Sequence, residues 1–351
     1  MNQTLREPQT PPDGPPDLPP EEPQRSPDEQ PQRLPWFYRA IDRLALGDRR
    51  ALLTRIGIAI GLMVVLSLIS PSFFGWGLAV AATIVAVPIS RLRAYATAFL
   101  PYGAAWLIFT MLRALADETS IPLRTDAVTR IERWMFFGNT PTIWLQSHMF
   151  DPLSLAWYDY ATTFVHWSYF FVPHLAAILI WRRNPQLFTR YLVATILLLG
   201  VGLLVYFLTP AAPPWLTTDT APQADTYRVM ANVGREINSS LYDRTYSVVG
   251  DSNPVAAMPS MHQAITFLVT LFAIQAGGWL RIGGILYAIA MGYSLVYTGE
   301  HYVIDILIGC ALATYTFYVA DRWLSAIGPL FQILRRHSRG ELQPSGNPPP
   351  V

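Results

Sequence analysis

The chain has 351 residues, of which 52% are hydrophobic and only 14% are charged, and its formal net charge is +1. This composition is typical of a polytopic membrane protein, and it lacks the clustered basic surface that a nucleic-acid-binding protein needs. The one cysteine, Cys310, excludes an internal disulfide and is expected to have a packing role.

Residues 1–35 are rich in Pro, Gln, Asp and Glu and contain almost no large apolar residues. Such a segment cannot bury a core, so a disordered Pro-rich tail is predicted. The tail has no apolar region near its start, which is not the pattern of a cleavable signal peptide. It is expected to be solvated, and the alternative is a Pro-rich motif for a partner.

The rest of the chain predicts an all-α fold, a polytopic membrane helix bundle of about eight transmembrane helices. A spanning helix needs about 20 apolar residues, and the stretches found are close to that length. The membrane domain is predicted at residues 36–325 and a C-terminal tail at residues 326–351. The predicted spans are roughly Leu53–Ser70, Gly75–Ser90, Ala96–Leu115, Tyr160–Trp181, Thr189–Thr209, Ser260–Ala276, Trp279–Tyr297 and Tyr302–Trp323.

The arginines predict the orientation of this bundle in a cell membrane. They cluster before the first span, after the last one, and between spans two and three, four and five, and six and seven. With an even number of spans these segments share one side, which the positive-inside rule makes cytoplasmic, with both termini. Two long segments then lie outside. Residues 116–159 include an amphipathic stretch at Ala127–Phe137 suited to the interface, and residues 210–258 are long enough for a lid or binding role.

Three ionisable side chains, His262, His301 and Asp305, lie at the ends of apolar segments. An ionisable group at membrane depth costs about 2.5–3.5 kcal/mol on insertion scales, so it indicates a functional site by default. Two spans fill the interval between the histidines (301 − 262 = 39 residues), which returns the chain to the same face. His301 and Asp305 are i and i+4, so the carboxylate can hold one imidazole nitrogen while the other attacks.

Pro259 suits the first turn of a helix, where its missing N–H is no loss. This predicts that Ser260 and His262 lie at a helix N-terminus. The free N–H groups and the positive end of the helix dipole make such a place a binding site for anions, above all for phosphate.

A second pair of ionisable residues, Asp159 and His166, lies in the fourth predicted span. The two residues are two helical turns apart, so they share one face of the helix. They are interpreted as a structural pair inside the bundle or as a relay on the substrate side, and packing favours the structural pair.

These segments resemble the type-2 phosphatidic acid phosphatase superfamily, which carries a P-S-x-H motif and a later H-x-x-x-D motif. The matching residues are Pro259–His262 and His301–Asp305. The longer pattern N-P-x-A-A-M-P-S-x-H at Asn253–His262 and the A-P-P-W at Ala212–Trp215 are more similar to the branch containing the inositol phosphorylceramide synthases. The resemblance covers about Thr209–Asp321. The family's K-x6-R-P motif is absent, since the chain has no lysine, and the synthase-like branch lacks it too.

The resemblance implies a membrane phosphotransferase or phosphatase that acts on a lipid phosphate or phospholipid without metal or other cofactor, with a catalytic core at about residues 155–323. It implies that His301 attacks phosphorus and becomes a phospho-histidine, that Asp305 orients His301, and that His262 protonates the leaving oxygen. Ser260 and an arginine would bind the phosphoryl oxygens. A lipid hydroxyl as acceptor makes the enzyme a transferase of the inositolphosphotransferase type, and water makes it a lipid phosphate or polyprenyl diphosphate phosphatase.

The motifs leave the phosphate-binding arginine unassigned, and only outward-facing arginines can reach the site. Arg113, at the outer end of span three, is the first choice, followed by Arg235 and Arg244, because a guanidinium suits a phosphoryl group. The motif residues leave two other classes of protein open. One is a metal-binding protein, with two histidines and a carboxylate as ligands. The other is a transporter, which would have broken spans in matching positions of two halves. The full set of outward-facing arginines is Arg113, Arg124, Arg130, Arg133, Arg228, Arg235 and Arg244.

Overall fold

The computed structural model describes residues 49–69, 80, 81, 83–115, 121–217, 226–237 and 256–338. The predicted N-terminal tail, most of the second predicted span and Arg244 lie outside these residues. Every regular element in the described part is helical, which confirms the all-α prediction there.

The main helices of the described residues follow one another in chain order. They are α1 (Arg49–Ile69), α2 (Leu92–Arg113), α3 (Thr125–Met135), α4 (Pro141–Met149), α5 (Trp157–Trp167), α6 (Val172–Arg183), α7 (Pro185–Leu208), α8 (Met261–Ala276), α9 (Gly278–Tyr297) and α10 (Val303–Ser338). Short 3-10 turns lie at Ile89–Arg91 and Ser168–Phe170, and single helical segments lie at Pro214–Thr217 and at residues 229–237. A parallel β-bridge joins Ala211 to Ala256.

Four of the described helices are long and apolar enough to cross a membrane: α2, α7, α9 and the Val303–Ala326 part of α10. The segment Trp157–Phe170 and α6 together make a fifth candidate span, bent by 49°. Helix α8 is apolar but has only 16 residues. The described residues are therefore all-helical and contain four or five candidate spans, as expected of a multi-pass membrane protein. The finer count of about eight stays a prediction.

The fourth predicted span, Tyr160–Trp181, is not one continuous helix. It is broken between α5 and α6, where Phe171 leaves helical geometry and Pro173 stands in the first turn of α6. Proline lacks the N–H that a continuing helix would use, so a break at this point is expected. At the other end of the chain, α10 continues to Ser338, past the predicted end of its span at Trp323.

Helix α8 packs against α9 and α10, and α10 in turn packs against α7. Ala264 and Leu268 of α8 are fully buried in this core, together with Leu198 of α7 and Ala313 of α10. The start of α8 and the first turns of α10 meet backbone to backbone, since the Ser260 amide donates to the Asp305 carbonyl over 3.1 Å. This contact joins the two sequence motifs.

Gly309 permits that close approach, so replacing it with alanine should separate α10 from α8. A Cβ on Gly309 would lie 2.6 Å from the Ser260 carbonyl oxygen, a backbone atom that cannot move aside alone. Overpacking of this kind costs about 1–3 kcal/mol. We expect Gly309→Ala to lower the thermal unfolding midpoint in detergent.

Gly283→Ala is the matched control, because a Cβ at Gly283 of α9 meets nothing within 4 Å. Alanine at an open helical position stabilises by about 0.4–1 kcal/mol. Equal midpoints for the two variants would contradict the role given to Gly309.

Candidate active site

Helix α8 begins at Met261 and places His262 in its first turn. Ser260 is the N-cap, and its hydroxyl accepts a hydrogen bond from the Gln263 amide over 3.3 Å. The predicted helix N-terminus is thus present. Pro259 follows a cis peptide bond and lies one residue before the N-cap. The prediction that Pro259 stands in the first turn of the helix was therefore wrong.

His301 lies in the turn between α9 and α10, and this turn is held by segments that are distant from it in the chain. Gly299 has a φ of 80°, and a Cβ there would lie 2.7 Å from the Tyr227 carbonyl oxygen, so only glycine fits. The Trp215 amide donates to the Gly299 carbonyl over 3.2 Å. The A-P-P-W segment therefore ends against the turn that carries His301.

A buried glutamine on α4, Gln146, holds the same turn from another side. Its amide nitrogen donates to the Tyr297 and Tyr227 carbonyls over 2.8 and 2.9 Å, and its oxygen accepts from the Tyr227 amide over 2.8 Å. The turn before α10 is thereby tied to residues far from it in the chain, which limits the positions that His301 can take.

The structure brings the three motif residues together. His262 Nδ1 lies 3.3 Å from His301 Nε2, so the two imidazoles are in hydrogen-bond contact. His301 Nδ1 lies 3.6 Å from Asp305 Oδ2, which is an electrostatic contact rather than a hydrogen bond. Asp305 is fully buried, and its Oδ2 accepts the Tyr302 amide proton over 2.9 Å. The imidazoles of His301 and His262 and the carboxylate of Asp305 thus form one cluster.

The predicted pair of Asp159 and His166 does not form, because each residue has another neighbour. Asp159 accepts hydrogen bonds from the Ala156 amide, over 2.7 Å, and from the Tyr297 hydroxyl. The His166 ring instead packs edge-to-face on His262, with ring centroids 4.6 Å apart. The bend between α5 and α6 lies just after this point, and the Tyr169 ring of the connecting turn also packs on His262, at 4.4 Å.

The candidate arginines differ in where they lie. Arg113, at the end of α2, is near enough to His262 and Tyr169 for its charge to act on both. Arg235 is exposed. Arg228, which was not among the preferred arginines, forms an ion pair with Glu300, the residue next to His301.

Sequence reasoning missed Glu132, a fully buried carboxylate on α3. Its two oxygens accept the amide protons of Val303 and Ile304 over 3.1 and 3.3 Å, so it caps the start of α10. A negative charge is favourable at a helix N-terminus, where amide groups lack partners. Burial raises the pKa of the Glu132 carboxyl, and the two amide hydrogen bonds oppose that shift.

The sequence did contain one signal for Glu132. It follows Val128 by four residues, which places a carboxylate on the apolar face of the amphipathic helix α3, and Val128 is itself 2% exposed. A charge on a buried face needs a partner, but nothing in the sequence says which one.

Among the residues that the structure describes, no three His, Cys, Asp or Glu side chains are grouped so as to hold a metal ion. The cluster of His262, His301 and Asp305 offers acid–base and nucleophilic groups, with a helix N-terminus at Ser260 beside them to receive an anion.

The chain is similar to one protein family and to two synthases. The model of a family described as the PAP2 superfamily matches residues 126–319. The phosphoinositol dihydroceramide synthase of Bacteroides thetaiotaomicron is 24% identical over 237 residues, which cover 64% of this chain and 77% of that protein. The inositol phosphorylceramide synthase of Candida albicans is 25% identical over 169 residues, 46% of this chain and 35% of that protein. No solved structure shows a significant match.

Proposed function

The chain belongs to the PAP2 superfamily, and from that premise we propose that it transfers a phospho-alcohol group of the inositol phosphate type from a phospholipid to a lipid hydroxyl. It is a membrane enzyme distantly related to the inositol phosphorylceramide synthases. The observation that carries the proposal is the contact between His262 and His301, with Asp305 buried behind them.

The proposed reaction has two steps. In the first, Nε2 of His301 attacks the phosphorus of the donor, and the bond between phosphorus and the diacylglycerol oxygen breaks. That oxygen leaves with the electron pair and takes a proton from His262. In the second step, His262 removes the proton of the acceptor hydroxyl, whose oxygen attacks phosphorus and breaks the N–P bond. Each proton transfer of this kind contributes roughly 10²–10⁴ in rate.

Asp305 has the position to orient His301 for this attack. Its Oδ2 faces Nδ1 of His301 at 3.6 Å, while Nε2 is directed to His262. A negative charge near Nδ1 favours the tautomer that carries the proton on Nδ1, and it also stabilises positive charge that develops on the ring.

The phosphoryl oxygens need positive partners, and we propose Ser260, the N-terminus of α8 and Arg113 for that role. The Ser260 hydroxyl accepts a bond from the Gln263 amide, so its own proton can be donated to a phosphoryl oxygen. The charge of Arg113 already acts on His262. Arg235 is exposed and is less suited. Donors aimed at developing charge are usually the largest contribution to catalysis.

The arginine distribution supports an orientation with cytoplasmic termini and an extracytoplasmic active site in the cell membrane. In that orientation the donor and acceptor lipids come from the outer leaflet. The proposed partners are thus the membrane and its phospholipids, and no nucleic acid is expected to bind.

An acceptor assay tests the proposed function. Purified protein is given phosphatidylinositol labelled in its headgroup, with and without ceramide, the acceptor class named in the two relatives. We expect label to appear in a ceramide product, and diacylglycerol release to rise at least about tenfold when the acceptor is present, because transfer frees the phospho-enzyme.

The matched control is protein lacking the proposed nucleophile, His301→Ala, at the same concentration. Labelled inositol phosphate released into water at one rate with or without ceramide would contradict transfer and indicate hydrolysis, with water as the acceptor.

A further inference from the structure

We propose that Glu132 is a positioning residue for the attack of His301 on phosphorus, and that it acts by holding the first turn of α10. The inference rests on the proposed function, since it concerns the first chemical step. It assigns a role to a fully buried carboxylate that the reaction described above does not use, on a helix that lies outside both sequence motifs.

Two carboxylates bind three successive amides at the start of α10. The Tyr302 amide donates to Asp305 Oδ2 over 2.9 Å. The next two amides, of Val303 and Ile304, donate to Glu132 Oε1 and Oε2 over 3.1 and 3.3 Å. Asp305 therefore supplies one half of a cap from within the helix, and Glu132 supplies the other half from a position 171 residues away in the chain.

The N-cap position of α10 is held by a residue of a type that does not cap helices. Tyr302 directly precedes the first helical residue, Val303, whereas N-caps are usually Ser, Thr, Asp or Asn, whose short side chains reach the first free amides. The Tyr302 hydroxyl instead lies 3.3 Å from the Thr129 hydroxyl, on α3. Glu132 thus replaces the missing capping side chain, and its negative charge is favourable at the positive end of the helix dipole.

The capped turn joins the two residues whose relative position decides the attack. His301 directly precedes this turn and Asp305 follows it, with 3.6 Å between His301 Nδ1 and Asp305 Oδ2. The positions of the imidazole and the carboxylate therefore depend on the backbone that Glu132 holds. Because a displacement of about 1 Å at a reacting group can lower a rate by about a hundredfold, loosening this turn should slow the attack.

Helix α3 is itself fastened, both at its start and along its buried face. The Thr125 hydroxyl accepts a hydrogen bond from the Ala212 amide over 2.9 Å. Val128 belongs to one buried cluster with Ala211 and Tyr302. A carboxylate on this helix is therefore a fixed support for α10 rather than a side chain on a free loop.

The same bonds decide which helix N-terminus can receive phosphate. Helices α8 and α10 start close together, since the Ser260 amide donates to the Asp305 carbonyl. A helix N-terminus binds phosphate through its free amides, but at α10 three of these amides are bound to carboxylates. The two carboxylates would also repel a phosphate there. Glu132 should thus affect the rate of attack far more than the affinity for the donor.

The test separates the rate of attack from the number of active molecules. Rapid-quench measurements with headgroup-labelled phosphatidylinositol, without an acceptor, follow protein-bound label as the donor concentration is raised. Glu132→Gln keeps the size of the side chain but removes its charge and one acceptor oxygen. In this variant we expect the maximal rate constant to fall roughly 10–100-fold. The donor concentration for half-maximal rate should change by less than about threefold, with the final label per protein kept.

Asp126→Asn is the matched control, because it removes the other carboxylate of α3, which is exposed. It should keep the wild-type rate constant, half-maximal concentration and final label. A purely structural role would overturn the inference, and Glu132→Gln would then form less label per protein at an unchanged rate constant. An unchanged rate constant with unchanged label would overturn it as well.

Glu132→Asp gives a second variant, should the first one fail to fold. Its side chain is shorter by one methylene, so it cannot reach both amides, and the same fall in rate constant with the label kept is expected. Wild type that forms no protein-bound label would contradict the proposed function and this inference with it. Wild type that forms label, together with a Glu132 variant of unchanged rate constant, would contradict the role of Glu132 alone.

Discussion

Replacing His301 with alanine should lower the turnover number by roughly 10⁴-fold or more, the scale on which nucleophile and base units contribute to kcat. The reason is geometric, because His301 is the imidazole that has the carboxylate of Asp305 on one nitrogen and His262 on the other. Initial rates with a headgroup-labelled phospholipid measure the loss. Acid-labile label on the protein, present in wild type and absent from the variant, measures the covalent intermediate.

His148→Ala is the matched control for this measurement. His148 is exposed on α4, and its contacts are with its own helix, through Ser147 and the Trp144 carbonyl. It should keep wild-type activity and membrane insertion. Turnover by His301→Ala above about one hundredth of wild type, with insertion intact, would refute a nucleophilic role on the scale expected for such residues.

Replacing His262 with alanine should lower turnover on phospholipids by roughly 10²–10⁴-fold, the usual contribution of a general acid–base group. The expected behaviour differs from that of His301→Ala. A donor whose leaving group is an acidic phenol needs little protonation. The first step, in which His301 attacks phosphorus, should therefore still proceed in His262→Ala with such a donor. The acceptor hydroxyl would still lack a base in the second step, so labelled phospho-enzyme should accumulate.

Rapid quenching of the reaction with such a phenolic donor distinguishes the two variants. Protein-bound label should reach a level near one per active site in His262→Ala and stay undetectable in His301→Ala. Equal loss on the phenolic donor and on the phospholipid, without accumulation of label, would show that His262 is not the acid and base.

The meeting of the two motifs could be predicted from the sequence because it depends on local rules. An even number of apolar spans returns the chain to one face, and a spacing of four residues puts Asp305 on the same side of α10 as His301. A helix N-terminus at Ser260 and His262 was predicted as well, although the role of Ser260 as N-cap was not, because Pro259 was placed in the first turn. None of these inferences requires knowledge of how distant helices pack.

The contacts that could not be predicted all depend on such packing. His166 meets His262 at a break between α5 and α6, where the sequence had indicated one span. Glu132 bonds to amides that follow it by more than 170 residues. The ion pair of Arg228 with Glu300 joins two positions 72 residues apart in the chain, the second of them in the turn before α10. Hydrophobic periodicity says which face of a helix is buried, but it does not say what covers that face.

The distance of 3.3 Å between His262 Nδ1 and His301 Nε2 has a consequence for ligand affinity. Atoms this close leave no space for phosphorus between them, so an incoming ester must compete with His262, the proposed acid, for the lone pair of His301, the proposed nucleophile. Giving up one hydrogen bond costs about 1 kcal/mol, which weakens the apparent affinity by roughly fivefold. The proposed mechanism therefore implies mild self-inhibition until a substrate separates the two rings. It also implies that the same contact shields Nε2 of His301 from other electrophiles between turnovers.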